Sequence, residues 1–168
     1  MAATSMAIQT ENMVDDFGTH ADFLYLWDGL EGESLAQQWF GNYVTCNDPN
    51  HIWLTKGIAR YFSGLYNANK NGKDEFLLWQ HAYDQSTYFF DWDYSVRQAL
   101  VNTDTNNIYN FVNSNTPYFH ASAVMRMLHK ELGETRFKSV IQEYLTTYAN
   151  TSVTTENLIT TIEKTTRK

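Results

Sequence analysis

Only two prolines, Pro49 and Pro117, fall within the 168 residues. Proline breaks a helix interior, so long helices are open to almost the whole chain. The apolar spacing uses that freedom. From about Gly29 to Val44, Leu30, Leu35, Ala36, Trp39, Phe40 and Tyr43 recur at spacings of about three to five, which predicts a helix. Asn47-Asp48-Pro49 then offers a break, an N-cap and a proline suited to a first helical turn. A second helix carries Ile52, Trp53, Ile58, Ala59, Phe62 and Leu65 and fades near Asn69-Lys70-Asn71-Gly72. A third, from about Asp74 to Tyr88, sets Phe76, Leu77, Trp79, Gln80 and Tyr83 around one side. Residues 88–116, dense in Asn and Thr, predict short helices joined by turns. Pro117 opens a helix with Ala121, Val124, Met125 and Leu128 that stops near Gly133. Phe137, Val140, Ile141, Tyr144 and Leu145 stripe the next, and Leu158, Ile159 and Ile162 stripe the last, from about Thr154. Residues 1–27 show no period and read as loop with at most a short helix.

The class is therefore mainly α, with little or no strand, in one domain over residues 1–168. Hydrophobic residues at 43% suffice for a core without staples. The single Cys46 excludes a disulfide framework and a cysteine zinc knuckle. A net charge of −7 argues against a nucleic-acid surface, which needs clustered Lys and Arg. No apolar run is long enough to span a bilayer, and the N-terminus lacks the basic start and apolar stretch of a signal peptide. A soluble protein is expected, and nothing in the chain assigns it a compartment, a partner or a cofactor.

Three segments carry more information. Glu33-Ser34-Leu35-Ala36-Gln37-Gln38-Trp39-Phe40-Gly41-Asn42 resembles the zinc helix of the aminopeptidase N family, which reads H-E-L-A-H-Q-W-F-G-N. Trp53-Leu54-Thr55-Lys56-Gly57-Ile58-Ala59 resembles that family's W-L-N-E-G-F-A, whose Glu is the third zinc ligand. Residues 38 to 55 separate Gln37 from Lys56, the 18-residue gap of the family. Pro117-Tyr118-Phe119-His120-Ala121 resembles P-Y-E-K-G, whose Tyr steadies the oxyanion. The likeness runs over roughly residues 1 to 165. It implies the zinc-helix and C-terminal helical part of a thermolysin-like aminopeptidase catalytic domain.

The chemistry of the family is not carried over. Two imidazoles at i and i+4 bind zinc, and the Glu beside the first activates water. Here Glu33 and Gln37 stand at the imidazole positions, Ser34 at the general base and Lys56 at the third ligand; only Tyr118 remains. An ammonium, an amide and one carboxylate are no ligand set for a divalent cation, and Ser34 has no basicity. No metal or other cofactor is expected. A Glu33–Lys56 ion pair bridged by Gln37 is expected to fill the space, with Lys56→Met costing several kcal/mol.

The N-terminal Met1-Ala2-Ala3-Thr4 aligns with the family's M-E-N-T, which implies loss of the amine-binding carboxylate and amide as well. The run around Ser34–Gly41 and Lys56-Gly57-Ile58 is also similar to a degenerate peptidase domain in a large subunit of the TATA-recognising transcription factor. These features imply a non-catalytic, metal-free domain acting as a scaffold or binding module. It is either a natural pseudoenzyme or an engineered or excised subdomain. The alternative is an active metallo-aminopeptidase-type hydrolase using non-standard residues. Self-association through the face that the family's strands would cover is expected in an isolated subdomain.

Other residues read more plainly. His20, His51, His81, His120 and His129 contain no i, i+4 pair and predict no metal site. Trp39, Trp53, Trp79 and Tyr83 are expected in the core, and Asp84, Asp91 and Asp93 on a solvated surface.

Overall fold

The computed structural model describes residues 2–3, 6–7, 24–75, 81–94, 98–102, 106 and 108–167. It opens on a short antiparallel pair, β1 (Ala2–Ala3) and β2 (Met6–Ala7), in the register Ala2↔Ala7 and Ala3↔Met6. Helix α1 (Leu24–Ala36) follows. It starts before and ends before the expected span of 29–44. Among its described side chains the buried ones are Asp28, Gly29, Gly32, Ser34 and Ala36, all small or polar. Leu35 and Trp39, which define the apolar stripe, are each 51% exposed. Beyond Ala36 the chain turns on itself, drops Phe40 into the core and enters β3 (Val44–Cys46).

Asp48 caps the short 3-10 turn Pro49–His51 by accepting the Asn50 N–H at 2.7 Å, as Asn47-Asp48-Pro49 predicts. That turn feeds α2 (Trp53–Lys70), the axis of the molecule. Trp53, Leu54, Gly57, Ile58, Ala59, Tyr61, Ser63, Gly64 and Asn67 are all buried, so α2 is covered on most sides. A one-turn helix, Lys73–Glu75, and α3 (Ala82–Tyr94) follow. Of the stripe expected there, Phe76, Leu77, Trp79 and Gln80 lie outside the described residues, and Tyr83 is 59% exposed. Trp53 alone of the four expected core aromatics is buried among those described.

Helix α4 (Ile108–Val112) buries Phe111 and is the short helix expected in the Asn-rich stretch. A widened π turn, Thr116–His120, then leads into α5 (Ala121–Thr147). The predicted stop at Gly133 is present as a break within α5, where Gly133 takes φ 75° and ψ 164°, a conformation open in practice only to glycine. The chain leaves α5 into β4 (Thr151–Val153), which pairs in parallel with β3 in the register Val44↔Thr151, Thr45↔Ser152 and Cys46↔Val153. Thr154 and Asn157 then form a capping box at the start of α6 (Thr155–Thr166), as expected near Thr154.

The core lies where α2, α5, α6 and the β3–β4 pair meet: Phe40, Val44, Trp53, Leu54, Ile58, Tyr61, Met125, Phe137, Ile141, Tyr144, Val153 and Leu158. Phe62 stacks between Phe40 and Phe137, with ring centroids 5.0 and 6.2 Å away. Among the described residues no helix is long and apolar enough to cross a membrane. Both α1 and the π turn pack against α2, and this brings the polar site together.

Candidate functional site

Glu33 lies in the last turn of α1, and Gln37 one turn further along the chain. Gln37 Nε2 donates to Glu33 Oε1 at 3.3 Å. The π turn, opened by Pro117, swings Tyr118 across α2 so that its hydroxyl donates to Glu33 Oε2. Both oxygens of Glu33 are thus engaged. Burial pushes the Glu33 carboxyl above its usual range, opposed by the Tyr118 hydrogen bond and then by the charges of Arg60 and Lys56. Burial likewise pushes the Tyr118 phenol up, so it stays a donor.

Arg60, one turn after Lys56 on α2, supplies the nearest strong field. Its guanidinium carbon lies 5.3 Å from the Tyr118 ring centroid and 5.5 Å from that of Phe119. Its Nη2 bonds Asp84 Oδ1 at 2.9 Å, with side-chain exposures of 15% and 5%. Ser122 Oγ donates to Asp84 Oδ2 at 3.1 Å. Burial pushes the Asp84 carboxyl up and Arg60 draws it back. The network therefore runs Gln37–Glu33–Tyr118, under the Arg60 plane, to Asp84 and Ser122, tying α1, α2, α3 and α5 together.

Two expectations need correction. No ion pair joins Glu33 to Lys56 among the described residues; Lys56 Nζ instead donates to the Val112 carbonyl at 2.7 Å, closing the end of α4. Lys56 is near enough for Glu33 to feel its charge, but Arg60 ranks ahead of it. Lys56→Met should then cost about 1.5 kcal/mol, the worth of one charged hydrogen bond, rather than several. A urea unfolding midpoint measures this, and a loss beyond about 3 kcal/mol would restore the direct pairing. Asp84 is the second correction: it is buried at 3% exposure, not solvated, because Arg60 and Ser122 satisfy it. The side chains of Asp91 and Asp93 lie outside the described residues.

Sequence reasoning thus found Glu33, Gln37 and Tyr118 and missed Arg60, Asp84 and Ser122. One signal was present: Arg60 follows Lys56 at i+4, so both face the same way from α2. Ser34 is buried beside the network at 7% exposure. Three of the described histidines serve elsewhere. His51 Nδ1 meets Thr155 Oγ1 at 2.9 Å, and His129 bridges Tyr61 at 2.6 Å and Glu134 at 2.9 Å. His120 lies edge-on to Tyr88, with ring centroids 4.5 Å apart. Among the described residues no three His, Cys, Asp or Glu side chains gather where they could hold one metal ion. Where α1 meets α2 and α5, Leu35, Trp39, Phe40, Phe62, Tyr66 and Leu145 line an open apolar groove.

The helical arrangement that brings these residues together recurs in solved structures. The M1 zinc metallopeptidase from Deinococcus radiodurans has this fold: a TM-score of 0.67 at 23% identity covers 82% of this chain and 29% of that one. Residues 33–168 match the family model described as the peptidase family M1 domain, and the chain belongs to that family. Aminopeptidase M1-A of Oryza sativa subsp. japonica is 31% identical over 132 residues, 77% of this chain and 15% of the rice protein. Transcription initiation factor TFIID subunit 2 of Drosophila melanogaster is 31% identical over 78 residues, 46% of this chain and 6% of that protein. The chain spans about one seventh of the length of the plant aminopeptidases it matches.

Proposed function

We propose that this M1 domain is metal-free and non-catalytic, and that it acts as a scaffold or binding module. The carrying observation is that both Glu33 oxygens are taken, one by Gln37 and one by Tyr118. Zinc does not fit this donor set. Lys56 brings only N–H donors and a positive charge, and is spent on the Val112 carbonyl. Gln37 turns its amide nitrogen, not its oxygen, toward Glu33. One carboxylate without imidazole or thiolate partners is far from the four-coordinate sites zinc prefers. Ser34 at the base position has no pKa in the range of a general base.

The positive charge that a metal would bring is supplied by Arg60, itself balanced by Asp84. A polar pocket arranged in this way keeps the fold of α1, α2 and the π turn without any ion. The Drosophila relative, named as a subunit of a transcription initiation factor, supports the reading that domains of this family also serve outside peptide hydrolysis.

The test is hydrolysis of chromogenic amino-acid anilides at neutral pH with and without added zinc. The reading expects release at the rate of buffer alone. Saturable hydrolysis abolished by a chelator would overturn it and favour hydrolysis by other residues.

A further inference from the structure

The seam between α1 and α2 ends in a clasp around one buried carboxylate. Asp28, 1% exposed, accepts Lys70 Nζ on Oδ1 at 2.6 Å and Asn71 Nδ2 on Oδ2 at 2.9 Å. Ser63, Asn67 and Asn71 stand four apart along the face of α2 that meets α1. Ser63 Oγ donates to the Gly29 carbonyl at 2.5 Å. The buried Oδ1 of Asn67 has no hydrogen-bond partner.

Asn71 is followed by Gly72, and this is the one Asn-Gly pair in the sequence. The helix ladder ends at Asn71, whose N–H still reaches the Asn67 carbonyl. Gly72 is exposed at φ +101°, and a side chain there would meet nothing within 4 Å. No backbone carbonyl among the described residues accepts its N–H. The peptide nitrogen that could attack the Asn71 side chain is therefore held by no backbone hydrogen bond among the described residues. A glycine gives it the backbone freedom to swing into position.

We propose that Asn71-Gly72 is a site of spontaneous deamidation, and that its product opens the clasp. The Gly72 nitrogen, losing its proton, bonds to Asn71 Cγ; the Cγ–Nδ2 bond breaks, and the amide nitrogen leaves as ammonia. Water then opens the resulting ring imide at either carbonyl, giving aspartate or isoaspartate. The conversion removes one of the two donors on Asp28 and sets a second carboxylate against it. Lys70, which already donates to Asp28, then faces two carboxylates. Uncompensated charge in a buried seam is destabilising, so the domain carries a built-in clock that loosens α1 from α2.

The test incubates the intact protein at pH 6 and pH 9 and follows each asparagine peptide by mass. The peptide holding Asn71 is expected to convert before the one holding Asn113-Ser114, and faster at pH 9, where the attacking nitrogen loses its proton more readily. Asn71→Asp is expected to lower the urea midpoint. Asn71→Gln, which keeps an amide but cannot close the five-membered ring, is expected to stay intact through the incubation. The proposal fails if Asn71 keeps its amide after the other asparagines have converted, which would mean that the bond to Asp28 holds it out of reach. It also fails if Asn71→Asp unfolds at the wild-type midpoint.

Discussion

Arg60→Met should lower the stability of the domain by about 3–5 kcal/mol, the cost of stranding one partner of a buried ion pair. The substitution keeps most of the side-chain length while removing the charge. Asp84, 5% exposed at its side chain, would retain only the Ser122 hydroxyl. Glu33 would lose the strongest charge opposing its desolvation, and the Tyr118 and Phe119 rings would lose the cation they flank. The loss reads directly in urea unfolding. A double-mutant cycle assigns it: if Asp84 is the stranded group, Arg60→Met with Asp84→Leu should recover a large part of the stability. Arg60→Met alone with a loss under about 1 kcal/mol would show the pair to be of the surface kind.

The second large effect comes from a single methyl group. Helix α2 crosses α5 at Gly57, and a Cβ there would fall inside the contact distance of the Ala121 Cβ and 3.1 Å from the Ala121 Cα. Both positions are buried, and the obstacle is backbone rather than a flexible side chain, so neither helix can yield locally. Gly57→Ala should cost about 3 kcal/mol, at the upper end of the range for overpacking, although alanine is the better helix former. Because α2 carries Lys56 and Arg60 on either side of Gly57, separating the helices would also pull Arg60 away from Tyr118. Thermal unfolding followed by circular dichroism checks the first effect, and tyrosine fluorescence near the site the second.

The elements that sequence patterns located well are those whose buried face is apolar. Helix α2, both halves of α5 and α6 show their stripes openly, and Asp48, Gly133 and Thr154 mark ends through local backbone chemistry. Helix α1 departs from its predicted span because, among the described residues, it buries Asp28, Gly29, Gly32, Ser34 and Ala36 while showing Leu35 to the groove. Leu35 and Trp39 of the stripe line that groove, while Ala36 and Phe40 are buried. Glu33, Gln37 and Tyr118, which the motif spacing singles out, are joined by hydrogen bonds. Charge partners were harder. Lys56 and Arg60 lie one turn apart on one face, and what separates their roles is the end of α4, which offers Lys56 a carbonyl. The Asn-rich stretch predicts a short helix but not which carbonyl its end presents to Lys56. Asp84 falls within a predicted helix, and no pattern there marks it as the partner of Arg60.

The most direct test of the metal-free site is the zinc content of the protein after exposure to excess zinc and removal of the free ion by gel filtration. Filled by Gln37, Tyr118 and the Arg60 field, Glu33 should leave the chain with far less than one equivalent. One firmly held zinc per chain, lost in Glu33→Gln, would contradict the account.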